Sequence, residues 1–309
     1  LHVLDSTGTV VEEWISTEEP HMIRGLLVGE TYTLVETKPA DGYTTAESIE
    51  FKVEDTAEIQ KHQMLDDVTK VEISKTDMTD SKEVPGAKLT ILDKDGKVVE
   101  SWVSDKDPHM VEKLPVGTYT LREEQAPDGY LVAEEVSFEV KDTGEIQKVE
   151  MKDARPVGKL VLKKTDAEDG SPLAGAEFEL RIKKSGKVVA TLVTDEEGAA
   201  TSGDIPIATY KDGKMKKEIE YILVETKATD GYVRSEKEES VVFTYQDDKT
   251  KEIEITKELT NERIPTGGYV KSPKTGDDTN IWLPIFLLVL SVGGIAGIFW
   301  YTKKKNHEE

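Results

Sequence analysis

The sequence is built on a unit that returns about every 90 residues, the length of one small β-sandwich, and each copy puts ionisable side chains where a core belongs. Residues 100–140 (ESWVSDKDPHMVEKLPVGTYTLREEQAPDGYLVAEEVSFEV) restate residues 12–53 (EEWISTEEPHMIRGLLVGETYTLVETKPADGYTTAESIEFKV). Residues 220–243 restate the second half through YILVETKATDGY. Self-similarity at a fixed period is the signature of one domain copied in tandem.

Within each copy the pattern is that of strands. Short alternating runs such as Lys88–Leu92, Val98–Val103, Thr118–Arg122 and Val136–Val140 are separated by turn signals such as Asp93-Lys94-Asp95-Gly96 and Ala126-Pro127-Asp128-Gly129. The fold class is therefore mainly β, as tandem Ig-like β-sandwich repeats. Boundaries near 67–70 and 155–158 divide the chain into 1–69, a copy cut at its N-terminal side, two complete copies at 70–155 and 156–264, and a C-terminal region at 265–309. The links are short, which predicts an elongated, stiff array. The third copy carries an insertion around Ala208–Lys217.

Strand parity locates the charges, because side chains two apart share a face. In the second copy Val71, Ile73 and Lys75 share a face, as do Tyr119, Leu121 and Glu123, and Val149, Met151 and Asp153. Each strand offers two apolar residues and then an ionisable one. The third copy repeats this with Leu160, Leu162 and Lys164, with Tyr221, Leu223 and Glu225, and with Leu259 and Asn261, although Lys257 also falls on that last inward face. The first copy has Tyr32, Leu34 and Glu36, then Met64 and Asp66; its lysine strand would precede Leu1.

A lysine and two carboxyl groups facing a core are costly if left ionised and unpaired. Burial lowers a lysine pKa and raises those of carboxyl groups, which favours a free amine beside a protonated acid. An amine held against a carboxyl or carboxamide carbon in a dry site can form an amide bond. The third group, Glu123 or Glu225, is suited to shuttle protons and polarise the carbonyl. The simpler reading is a buried salt bridge.

The run Val71–Ala154 resembles the B-type repeats of collagen adhesins, also called SpaA-like prealbumin-fold domains. The resemblance rests on ISKTD at 73–77, VPGAKLTILD at 84–93, LREEQAPDGY at 121–130 and VEMKDA at 149–154, and extends over residues 1–264. In that family the first-strand lysine forms a spontaneous intramolecular isopeptide bond with an Asp or Asn of the last strand, assisted by the Glu. Carried over, the resemblance implies Lys75 to Asp153 with Glu123, and Lys164 to Asn261 with Glu225. Glu36 and Asp66 are the remaining two members of a third set. No enzyme activity beyond this self-reaction is implied.

The C-terminus speaks for location. Residues 281–301 (IWLPIFLLVLSVGGIAGIFWY) form an uncharged apolar run long enough for one transmembrane helix. Lys303, Lys304 and Lys305 follow at once and place the C-terminus inside, so all that precedes residue 281 is outside. Upstream lie Ser272, Pro273, Lys274, Thr275 and Gly276. This order is similar to the cell-wall sorting signal of Gram-positive surface proteins, with Ser272 where that family usually has Leu. The resemblance implies a sortase that cuts Thr275–Gly276 and joins Thr275 to peptidoglycan, leaving the membrane helix as a transient anchor.

The remaining partners follow from charge. With 62 acidic against 40 basic residues, a net charge of -22 argues against nucleic acid and anionic lipid as partners. There is no cysteine, so disulfides cannot staple these secreted domains, and amide bonds would fill that role. Chain 1–309 begins in mid-domain, since residues 1–10 align with 89–98, and reads as the C-terminal piece of a longer protein.

The function that results is a wall-anchored stalk, stiffened by isopeptide bonds, that presents an adhesive N-terminal region. The alternatives are repeats that themselves bind a host matrix protein such as collagen or fibronectin, for which Trp14 and Trp102 are the aromatics to inspect, or a pilus subunit. No cofactor motif occurs. The five histidines are scattered and make no zinc pattern; His21 and His109 read as loop residues. The acidic clusters at 93–96 and 166–170 lack calcium-loop spacing and read as hairpin turns. DTAEIQK at 55–61 and DTGEIQK at 142–148 read as turn and strand.

Overall fold

A computed structural model describes residues 1–265, and these contain strands and turns with no α-helix. The pentapeptide at 272–276, the apolar run at 281–301 and the lysines after it lie outside the described residues.

Residues 1–67 hold four strands, β1 (His2–Leu4), β2 (Val10–Glu13), β3 (Thr31–Val35) and β4 (Ile49–Lys52), in one sheet ordered β2-β1-β3-β4. Its small core is Val3, Tyr32 and Leu34.

The second group is β5 (Lys70–Asp77), β6 (Lys88–Leu92), β7 (Val98–Val103), β8 (His109–Glu112), β9 (Gly117–Gln125), β10 (Val136–Val140) and β11 (Ile146–Asp153). These form a sheet β10-β9-β6-β7 and a sheet β11-β5-β8. One core joins them, with Leu89, Ile91 and Leu121 from the first and Val71, Ile73 and Met151 from the second.

The third group is β12 (Val157–Asp166), β13 (Glu177–Ile182), β14 (Val188–Val193), β15 (Ala199–Thr201), β16 (Ile205–Pro206), β17 (Ala208–Lys211), β18 (Lys214–Glu218), β19 (Glu220–Lys227), β20 (Glu239–Val242) and β21 (Glu252–Asn261). The sheets β14-β13-β19-β20 and β15-β12-β16, with β21 on β12, enclose a core around Leu160, Phe178 and Leu223. The insertion is the separate hairpin β17-β18.

One pairing places the chemistry. The first and last strands of each complete group run parallel and adjacent, β5 with β11 and β12 with β21. In these registers Asp153 lies opposite Asp77 and Met151 opposite Lys75; Asn261 lies opposite Asp166 and Leu259 opposite Lys164. Both lysines thus sit two residues from the register position of Asp153 or Asn261, on the same pleat face.

Two expectations need correction. DTAEIQK forms no strand, although DTGEIQK leads into β11, because the first group has no neighbouring strand to complete the ladder. His109 opens β8 and is not a loop residue. Both acidic clusters sit in tight antiparallel turns as expected: 93–96 links the paired strands β6 and β7, and 166–170 is closed by the antiparallel bridge between Thr165 and Pro172.

Candidate functional site

The alternation in β5, β9 and β11 delivers three ionisable groups to one dry point. Lys75 is 1% exposed, with Glu123 and Asp153 also buried. The Lys75 ammonium touches Asp153 Oδ1 and lies 3.1 Å from Glu123 Oε2. Glu123 Oε2 also accepts the Ala133 N–H at 2.6 Å. Glu123 Oε1 and Asp153 Oδ2 are buried with no hydrogen-bond partner. A bare carboxylate oxygen in a core is unfavourable, and a proton on Asp153 relieves that penalty for its own group. Consistent with this, burial pushes the Asp153 carboxyl up to about 7, with the Lys75 charge opposing and Glu123 adding to the rise.

The third group repeats the arrangement with an amide. Lys164 is 1% exposed and its Nζ touches Asn261 Oδ1. Asn261 Nδ2 donates to Glu225 Oε1 at 2.9 Å, and Lys164 Nζ stands 3.4 Å from the same oxygen. Glu225 Oε2 accepts the Ser235 N–H at 2.6 Å. Burial lowers the Lys164 pKa, Glu225 opposing, which favours the unprotonated amine that a nucleophile requires. The Lys164 Nζ lies 5.6 Å from the centroid of the Phe178 ring. A cavity of about 230 Å³ reaches this site, lined by Lys164, Glu225, Lys237 and Glu239 among others. Lys257, the extra inward lysine, is half-buried and extends its ammonium to 4.0 Å from Glu239, as a long stem allows.

The first group does not assemble its set. Glu36 is half-buried and its Oε2 accepts the Ala46 N–H at 2.8 Å, but Asp66 is exposed and lies in no strand. The strand that would hold it has nothing to pair with.

Two features escaped the sequence reading. Each glutamate is anchored by the N–H of the residue ten positions later, Ala46, Ala133 or Ser235. A second polar cluster lies beside each buried lysine pair. Tyr130 Oη and Arg155 Nε donate to Asp77 Oδ2 at 2.6 and 2.7 Å, and Tyr232 and Arg263 do the same to Asp166 at 2.7 and 2.6 Å. For Asp77 burial raises the carboxyl pKa, but these bonds and the Thr79 N–H outweigh it and hold the group below its usual value. The signal was present in the recurrent KTD and DGY and in the arginine two places after Asp153 and Asn261.

The tryptophans do not form a bare patch. Trp14 stacks on His21 at 4.4 Å and Trp102 on His109 at 4.3 Å, and each histidine is hydrogen-bonded to a glutamate, Glu12 or Glu100. Among the described residues no group of three His, Asp or Glu side chains is placed to hold a metal ion.

The SpaA model, a prealbumin-like fold domain, matches residues 1–67, 69–155 and 158–259. No curated protein matches the chain. Among solved structures, the Bacillus anthracis TIE protein is 29% identical with a TM-score of 0.49, over 75% of this chain and 42% of that one, so the chain spans less than half of its length. A Streptococcal ancillary pilin is 18% identical with a TM-score of 0.29, over 77% and 76% of the two chains. The shaft pilin SpaA from Lactobacillus rhamnosus GG is 14% identical with a TM-score of 0.25, over 65% and 98%.

Proposed function

The chain belongs to the SpaA family of prealbumin-like fold domains, and from that membership we propose that it is a Gram-positive surface protein whose complete repeats staple themselves with isopeptide bonds and serve as a wall-anchored stalk. The observation that carries this reading is the buried contact of Lys75 with Asp153 and of Lys164 with Asn261, each beside an anchored glutamate.

The chemistry balances as follows. The neutral Nζ of Lys75 attacks Cγ of protonated Asp153. Glu123 takes the amine proton and returns it to the departing hydroxyl, so an amide forms and water leaves. In the third repeat Lys164 attacks the Asn261 carboxamide, Glu225 moves the proton to the departing amide nitrogen, and ammonia leaves. The cavity beside Lys164 offers that ammonia a way out. Fixing both reactants in a dry site replaces a bimolecular encounter by a unimolecular step, the condition under which so unreactive a pair condenses.

The intact denatured mass of the full chain is expected to fall short of the sequence mass by one water and one ammonia. A mass equal to that of the sequence would reduce both sites to salt bridges and hydrogen bonds. The two bonds are also expected to differ in pH dependence. Closure in the second repeat requires protonated Asp153, whose pKa is near 7, so it slows as pH rises through that value. Closure in the third requires neutral Lys164, so it slows as pH falls below that lysine's depressed pKa. Timed sampling of chain made by cell-free translation reads both bonds in one spectrum; parallel profiles would contradict the assignment of these protonation states.

Anchoring is proposed from Ser272–Gly276 followed by the apolar run and three lysines. The sortase cysteine would attack the Thr275 carbonyl, releasing the Gly276 amine, and pass the Thr275 acyl group from the thioester to a peptidoglycan amine. Thr275→Ala is expected to reduce wall-attached protein to background in purified wall fractions. Undiminished attachment would remove this peptide bond from the anchoring step.

A further inference from the structure

The insertion that distinguishes the third repeat is the hairpin β17-β18, closed by Asp212 and Gly213 with φ of 53° and 63°. Positive φ at both positions is the type I′ turn that suits a two-residue hairpin. The hairpin pairs with neither sheet of its own repeat, and two strands alone are marginal in water. Ala208, Tyr210 and Met215 pack on the core of its own repeat, and the rest of its support comes from the second repeat. Tyr210 meets Tyr130 edge-on with ring centroids 5.2 Å apart, its hydroxyl donates to the Gly129 carbonyl at 2.5 Å, and the Arg155 guanidinium lies 4.0 Å from its ring centroid. Further contacts join the same surfaces: the Val132 N–H donates to the Asp248 carbonyl at 2.8 Å and the Tyr245 hydroxyl to the Tyr130 carbonyl at 3.0 Å.

What lies under Tyr210 gives the hairpin a role. Arg155 and Tyr130 both grip Asp77. Asp77 is two residues beyond Lys75, Arg155 is two beyond Asp153, and Asp77 and Asp153 face one another in register. The clamp therefore ties the ends of the two strands that carry the reacting groups. The equivalent clamp of the third repeat, Arg263 on Asp166, has its arginine side chain 51% exposed, against 22% for Arg155. The ring of Tyr210, its centroid 4.0 Å from the Arg155 guanidinium, is part of that cover.

We propose that hairpin β17-β18 is a clasp through which the third repeat holds β5 and β11 of the second in closing register, with Tyr210 and Arg155 as positioning residues for the Lys75–Asp153 bond. This rests on the isopeptide reading above. A displacement of the amine by about 1 Å is enough to slow such a reaction a hundredfold, so partial loosening of the strand ends has a measurable effect.

The test is the rate of each bond in the full chain made by cell-free translation, sampled against time and read by intact mass and peptide mapping. Tyr210→Ala is expected to slow the water-losing step about tenfold and to leave the ammonia-losing step at its native rate, which serves as an internal control for folding. Tyr210→Phe keeps the ring on Arg155 and Tyr130 and is expected to close at close to the native rate. If the alanine variant forms neither bond it has failed to fold, and Arg155→Lys then carries the comparison: it keeps the charge but not the planar fork, and is expected to slow the water-losing step alone. Equal rates for the native chain and Tyr210→Ala would overturn the clasp. Absence of the water loss from the native chain would overturn the isopeptide reading and the clasp with it.

Discussion

Replacing Glu123 by glutamine is expected to leave the Lys75–Asp153 bond unformed on the time scale on which the native chain closes. The side chain keeps its size, and its amide oxygen can still accept the Ala133 N–H that anchors Glu123 at 2.6 Å. What it cannot do is take a proton from Lys75, whose nitrogen lies 3.1 Å from Glu123 Oε2. A positioned acid–base group is worth about 10² to 10⁴ in rate, and Glu123 has two proton transfers to serve, one from the attacking amine and one to the departing hydroxyl. The variant should therefore retain the mass of the water while still losing ammonia from the third repeat. Glu123→Ala should do the same with an added packing defect, so the glutamine variant is the cleaner test. Closure of the glutamine variant at native rate would take Glu123 out of the mechanism and leave burial and proximity alone to explain the bond.

The buried ionisable groups were legible because a strand has a period of two. Once Val71 and Ile73 are assigned to the core, Lys75 has to follow them, and the structure has all three buried. The same logic gave Glu123, Asp153, Lys164, Glu225 and Asn261. It misplaced Asp66, since parity presumes a strand, and a strand presumes a neighbour. In the complete groups that neighbour is the lysine strand, paired in parallel across the whole of β11 or β21. Without it residues 62–67 stay outside any sheet. The anchoring N–H groups of Ala133 and Ser235 were not legible, because a backbone donor leaves no mark on residue identity. The Asp77–Tyr130–Arg155 cluster left only the recurrence of its members, whose meeting depends on three segments brought together by the two sheets. The hairpin at 208–218 showed itself as an insertion, but its docking on Arg155 and Tyr130 is tertiary and has no periodic signature.

Lys75→Met is expected to produce the largest loss of stability of any single substitution in the second repeat. The residue it removes is the amine of the proposed bond, which would close a covalent loop between positions 78 residues apart. By analogy with disulfides of that span, the lost constraint on the unfolded chain amounts to about 4 to 5 kcal/mol, or roughly 20 to 35 °C in the midpoint of a domain of this size. Methionine fills most of the volume of the lysine stem, so a cavity contributes little. The variant also acquires a pH dependence that the stapled domain lacks. Amide formation consumes the Asp153 carboxyl, whereas in the variant that acid remains, buried beside Glu123 with no cation to offset them. Burial raises the folded pKa of Asp153 above its unfolded value near 3.9, so the folded state binds the proton more tightly. Stability is then greatest below the unfolded value and declines as pH rises through the folded one. Calorimetry of the full chain should show one transition moved far down, and moved further at pH 8 than at pH 5, while that of the third repeat stays in place. An unchanged set of transitions would mean that the native chain carries no covalent staple in its second repeat, however close the amine and the acid lie.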